Sequence, residues 1–141
     1  MAGYSGTPLP KKLGIKSGAR LALIDAPEDF NATLGELPAA VTTRTTVRGP
    51  LDVMLYFTTS RAGLARRFQA LAAALDPAGG LWVAWPKKAS GVPTDLNENA
   101  IRDIGLAAGL VDNKVCAIDD TWSGLRFVIR VKDRPRPARA R

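Results

Sequence analysis

Histidine is absent from this 141-residue chain, and Cys116 is its only cysteine. Without imidazole, histidine-based acid–base chemistry and any Ser-His-Asp triad are excluded. A structural zinc site takes about four Cys or His ligands, so none can be built within one chain. One cysteine closes no intrachain disulfide, and Cys116, between Val115 and Ala117 in a strand-like run, reads as an inert buried thiol. No apolar run approaches the roughly 20 residues of a membrane helix, so no membrane partner is expected. The first residues, Met1 to Pro8, lack the charged and apolar regions of a signal peptide, which makes the cytoplasm the expected location.

What is present suits one packed domain. Hydrophobic residues make up 46% of the chain, enough to expect a core rather than wholesale disorder. The net charge is +7, but it is unevenly placed. Residues 132–141 carry Lys132, Arg134, Arg136, Arg139 and Arg141 against Asp133, a net +4 that leaves +3 for the other 131 residues. Residues 133–141, rich in Pro, Ala and Arg, read as a basic disordered tail suited to weak, sequence-independent contact with nucleic acid. Residues 1–19 read as an N-terminal arm anchored by Leu13 and Ile15, and residues 20–132 as the folded domain.

Within the domain, the apolar run at 20–26 reads as a buried strand. Phe30, Leu34 and Leu37 then give the stripe of a short helix stopped by Pro38. Residues 41–47 are β-branched and polar, and 51–57 suit a central strand covered on both faces. Three residues cannot link parallel neighbours, so 41–47 are expected to run antiparallel to 51–57 or to be too irregular for a full strand. Thr59 or Ser60 can cap a helix striped by Leu64, Phe68, Leu71, Ala72 and Leu75, with Pro77–Gly80 ending it before a strand at 81–85. Asp95 and Glu98 form a capping-box pattern for a further helix, which Gly109 can stop. Segments 114–119 and 125–131 read as a closing antiparallel hairpin. The expected architecture is α/β: a Rossmann-like three-layer sandwich with a mostly parallel sheet of about five or six strands.

Two stretches carry a family resemblance. Leu51–Phe57, the helix after it, Leu75-Asp76-Pro77-Ala78-Gly79-Gly80 and Leu81–Trp85 resemble the strand, helix, Leu-x-Pro-Gly-Gly turn and strand of Rossmann-like S-adenosylmethionine-dependent methyltransferases. Leu23-Ile24-Asp25 resembles the start of that family's first motif, with Asp25 on its aspartate, but the glycine positions that follow fall on Pro27, Asp29 and Asn31. The resemblance therefore implies the fold without its cofactor turn. A carboxylate about 4 Å from the cofactor's own would cost roughly 4 kcal/mol at an effective dielectric of about 20. The chain as a whole resembles a family of small bacterial proteins of unknown function. That resemblance runs from Gly3-Tyr4-Ser5-Gly6-Thr7-Pro8-Leu9 through Lys11–Lys16, Trp85-Pro86-Lys87-Lys88 and Thr94-Asp95-Leu96 to Trp122-Ser123-Gly124-Leu125, and implies no activity.

Open α/β sheets bind ligands beyond the carboxyl ends of their strands. That rim would gather Asp25, Thr58, Thr59, Ser60, Lys87, Lys88 and Trp122, and the two lysines beside hydroxyls could hold a small anion. Trp82 and Trp85 point to opposite faces and read as core, so Trp122 is the candidate for stacking. Asp119-Asp120 reads as a hairpin turn rather than a catalytic pair. The residues point to a non-catalytic, cofactor-free module that binds a partner protein or small anion. The alternatives are a reduced methyltransferase with a relocated site and a nucleic-acid accessory protein using its tail.

Overall fold

A computed structural model describes residues 6–135 of the chain. Six strands form one sheet in the order β2-β1-β3-β4-β6-β5. They are β1 (Arg20–Ile24), β2 (Thr42–Arg44), β3 (Leu51–Phe57), β4 (Leu75–Pro86), β5 (Leu110–Ala117) and β6 (Trp122–Ile129). β1, β2, β3 and β4 pair in parallel, whereas β6 pairs antiparallel with both β4 and β5. This is the expected mostly parallel, Rossmann-like sheet closed by a hairpin.

Alternation along the strands sorts the core into two layers. Ala22, Ile24, Met54, Tyr56, Val83, Trp85 and Phe127 face one side, beneath helix α3 (Arg61–Ala73) and helix α4 (Glu98–Ala107). Leu64, Phe68 and Leu71 of α3 and Ile101 of α4 seal that layer. Leu21, Leu23, Val53, Leu55, Phe57, Trp82 and Ala84 face the other side. No long helix among the described residues covers it. Helix α1 (Leu9–Lys12), the segment to Ala19 and helix α2 (Phe30–Leu34) do so, burying Leu13, Ile15, Phe30 and Leu34. The Trp82 indole N–H donates to the Leu13 carbonyl at 3.0 Å, so the arm is tied to the middle of the sheet. Trp82 and Trp85 occupy opposite layers, as strand geometry requires.

The segment 41–47 forms only a three-residue stub, the second of the two expectations for it, and not an antiparallel partner of β3. Only Thr42–Arg44 pairs, and it does so in parallel with β1, on the side away from β3. β2 and β3 are therefore not neighbours and do not run antiparallel. Residues 45–50 cross two strand spacings, about 10 Å. Because β2 is only three residues long, little return along the sheet is needed, and six residues reach up to about 20 Å. The link forbidden between full-length parallel neighbours becomes possible for a stub.

Several boundaries also shift. α2 ends at Leu34, with Gly35 next at φ 80°, so Leu37 packs on the core from outside the helix. α3 stops at Ala73, and β4 begins at Leu75 rather than Leu81. Leu51 pairs with Leu75 and Val53 with Gly80, which leaves 76–79 bulged opposite Asp52. β5 starts at Leu110 and β6 ends at Ile129, so Val131 is exposed instead of continuing the hairpin. The reading of the tail at 136–141 and of the arm at 1–5 lies outside the described residues. No helix among the described residues is long and apolar enough to cross a membrane.

Candidate functional site

All seven rim residues fall at the carboxyl edge of the sheet. Asp25 follows β1, Thr58, Thr59 and Ser60 follow β3, and Lys87 and Lys88 follow β4. Trp122 opens the antiparallel β6 directly opposite Pro86. The fold thus brings them to one edge, but the side chains of Asp25, Thr58 and Ser60 are committed within the protein.

The chain leaves β1 through Asp25 at φ 56°, a left-handed conformation that Asp tolerates better than most residues. Its carboxylate accepts from Arg67 Nη1 of α3 at 2.9 Å, and the Arg67 guanidinium lies 5.0 Å from the centre of the Tyr56 ring. The pair spans from the end of β1 across β3 to α3, over the junction where the strand connections diverge. Both partners are partly solvated, so its effect is positional more than energetic. Beyond it, Pro27 supplies no N–H, and Glu28 and Asp29 are exposed. α2 has only five residues, and Asp29 makes no side-chain cap. On the outer side a cleft of about 380 Å³ is lined by Asp25, Glu28, Asn31, Thr43 and Thr45.

After β3, the hydroxyls serve the backbone. Thr58, almost fully buried, accepts from Ser60 N at 3.2 Å. Ser60 Oγ accepts from Gly63 N at 3.0 Å and is the N-cap of α3, one of the two caps the sequence offered. Asp95 reaches the same helix start: its Oδ1 accepts from Arg61 N at 2.7 Å, while Arg61 Nη2 donates to its carbonyl. Thr94 Oγ1 donates to the Thr59 carbonyl at 2.7 Å. An internal carboxylate therefore sits where an anion would otherwise meet the start of α3. The capping-box reading of Asp95 is thereby corrected: Asn97 caps α4, accepting from Ala100 N at 2.8 Å. The local Asp-x-x-Glu pattern was visible, but the helix that takes the carboxylate lies 34 residues earlier.

After β4, Lys87 N donates to the Thr121 carbonyl at 2.7 Å, and the Lys87 carbonyl accepts from Ser90 Oγ at 2.6 Å. Lys87 is half-buried and Lys88 exposed, and among the described residues neither ammonium forms an ion pair. Trp122 packs edge-on against Phe57, with ring centres 5.1 Å apart, and Phe57 meets Phe30 in turn. Half-buried in this aromatic row, Trp122 is held by packing. Asp119 accepts from both Thr121 N and Trp122 N at 2.8 Å, which fixes the turn as expected. Burial pushes the Cys116 thiol up, against the opposing charges of Lys12 and Lys114. No group of three His, Cys, Asp or Glu that could hold a metal occurs among the described residues.

Arg67 and Thr94 are the members of this edge that sequence reasoning missed. Nothing in the sequence sets Arg67 apart from the other arginines of α3, and only the β1–α3 contact gives it a partner.

No protein-family model matches the chain, and no curated protein is similar to it. Its fold is shared with solved methyltransferases. The magnesium protoporphyrin IX methyltransferase of Synechocystis PCC 6803, crystallised with bound SAM, aligns over 86% of this chain and 74% of its own, at TM-score 0.53 and 12% identity. A SAM-dependent methyltransferase from Aquifex aeolicus aligns over 83% of this chain and 85% of its own, at TM-score 0.56 and 13% identity. TrmN from Thermus thermophilus aligns over 86% of this chain but 47% of its own, at TM-score 0.53 and 11% identity.

Proposed function

We propose that this chain is a non-catalytic, cofactor-free binding module on a methyltransferase-like fold, and that its carboxyl edge takes a partner protein or a small anion. The observation that carries the reading is the Arg67–Asp25 pair over Tyr56. A glycine-built turn leaves space and backbone donors for a ligand at this junction. Here a carboxylate and its arginine occupy it, and Pro27 removes a donor. The first turn of α3 is likewise committed to Ser60 and Asp95. What remains at the rim is the pair Lys87 and Lys88, two cations for which an acidic surface or an oxyanion would provide the counter-charge.

The test is residue-resolved. Inorganic phosphate, against chloride at matched ionic strength, is expected to shift the amide resonances of Thr59, Lys87 and Lys88. Replacing both lysines by Ala is expected to abolish those shifts with little change in stability, since neither ammonium has an ion pair to lose among the described residues. A Lys87→Ala, Lys88→Ala protein that keeps the full response at these amides refutes the anion site.

A second reading, a reduced methyltransferase with a relocated site, is favoured by the cleft at the ends of β1 and β2. Its Asn31, Thr43, Thr45 and two carboxylates suit the hydroxyl groups of a bound ligand. The fold relatives include an enzyme crystallised with SAM. Direct binding of S-adenosylmethionine separates the two readings.

A further inference from the structure

The amino edge of the sheet carries a second cluster of charge, away from the rim. Arg126 lies on β6, on the same face as its register partner Trp82, and its side chain runs over Gly80 of β4. A Cβ at Gly80 would stand 2.3 Å from Arg126 Nε and 2.6 Å from its Cζ, so in this conformation the guanidinium lies in the space that the glycine leaves open. The guanidinium is half-buried and, among the described residues, has no carboxylate partner. Its one side-chain acceptor is Asn113 Oδ1, at a long 3.3 Å. Burial and the neighbouring Arg134 both push Arg126 below its ordinary value, so a second cation aggravates the first.

Arg126 and Lys16 line a cleft of about 340 Å³ together with Ser17, Gly18 and Gly79. The carboxylates of this cleft, Asp52 and Asp76, are engaged elsewhere. Arg20 grips Asp52 through two bonds, Nε to Oδ2 at 2.9 Å and Nη2 to Oδ1 at 2.8 Å, and reaches Asp76 at 3.5 Å. Three cations thus face two carboxylates. The positive excess lies on the Arg126 and Lys16 side.

We propose that this amino-edge cleft is an oxyanion site for a phosphate group, held by the planar fork of Arg126 and the ammonium of Lys16. A desolvated guanidinium without a counter-ion is unfavourable, and a planar fork matches two oxygens of one phosphate. Lys16 is exposed, and its four-carbon stem can bring the ammonium to a third oxygen from the open side. A tetrahedral dianion uses donors from two walls better than a planar monoanion does. The site stands at the edge opposite the one where this fold class ordinarily holds ligands, and it does not rest on the carboxyl-edge reading.

The probe is inorganic phosphate, titrated into the full chain at constant ionic strength and followed through backbone amide resonances. Saturable shifts are expected at Gly18, Gly79 and Gly80. Arg126→Gln is expected to weaken binding about tenfold, and Lys16→Ala, an exposed change without folding cost, about threefold. The Lys87→Ala, Lys88→Ala protein is expected to bind here within roughly twofold of the parent, which separates this site from the rim. Ribose 5-phosphate, titrated in parallel, distinguishes a phosphoester ligand from the free ion by which binds tighter at these amides. Acetate shifting the same amides with equal affinity, or an unchanged phosphate affinity in both Arg126→Gln and Lys16→Ala, would overturn the proposal.

Discussion

Replacing Gly105 with alanine sets two effects of opposite sign against each other. In an exposed helix interior, Ala is favoured over Gly by about 1 kcal/mol. Gly105, however, is the point where α4 meets β6: a Cβ there would stand 2.0 Å from Cε1 of Phe127. Ordinary carbon contacts begin near 3.5 Å, so helix or ring must move by about 1.5 Å. Phe127 is fully buried and wedged edge-on against Phe68, with ring centres 5.3 Å apart, which leaves the ring nowhere to go. Overpacking of this kind costs roughly 1–3 kcal/mol, and the rigid neighbour places it near the upper end. The clash therefore wins, with a net loss of about 2 kcal/mol. Urea denaturation followed by tryptophan fluorescence reads this as a lower midpoint at constant slope. In a Phe127→Leu background the ring edge is gone, and the same Gly105→Ala change is expected to cost less than about 0.5 kcal/mol, a coupling visible in a double-mutant cycle. A Gly105→Ala protein as stable as its parent would refute the close α4–β6 contact.

Other consequences follow from single contacts. Trp82→Phe leaves the Leu13 carbonyl without its indole donor, so about 1–3 kcal/mol is expected to be lost. Amide exchange should then accelerate selectively at Leu13, Gly14 and Ile15. Asp52 is held below the usual carboxylate range by its hydrogen bonds from the Arg20 side chain. A depressed carboxylate contributes stability above its unfolded value and loses it as pH falls through the folded one. The gap between parent and Asp52→Asn, measured by urea midpoints, is therefore expected to persist at neutral pH and close below about pH 4. A gap that widens on acidification would contradict the pairing.

The fold was legible where one local signal decides it. The apolar run of β3 and the Leu64, Phe68 and Leu71 stripe of α3 are buried as their patterns predict, and β5 and β6 pair as the closing antiparallel hairpin. Legibility failed where the deciding partner is distant in sequence. Thr42–Arg44 pairs with β1 because β1 already occupies the place beside β3, and no property of 41–47 encodes that order. Asp95 reads as a cap for the helix after it, yet Asn97 is nearer that helix start and α3 claims the carboxylate. At the candidate edge, the missing glycines and the inserted Pro27 and Asp29 were plain. What lies beside Asp25 was not, since Arg67 looks like any solvated helix charge until α3 is laid across β3. Arg126 is invisible for the same reason: its isolation depends on Gly80 and on Arg20 having taken both nearby carboxylates.

Isothermal calorimetry with S-adenosylmethionine and S-adenosylhomocysteine tests the proposal that the carboxyl edge of this chain is cofactor-free. No saturable heat is expected up to millimolar ligand, where affinity corresponds to about −4 kcal/mol or weaker. Micromolar binding by the parent chain, with amide shifts at residues 25–31, would contradict it.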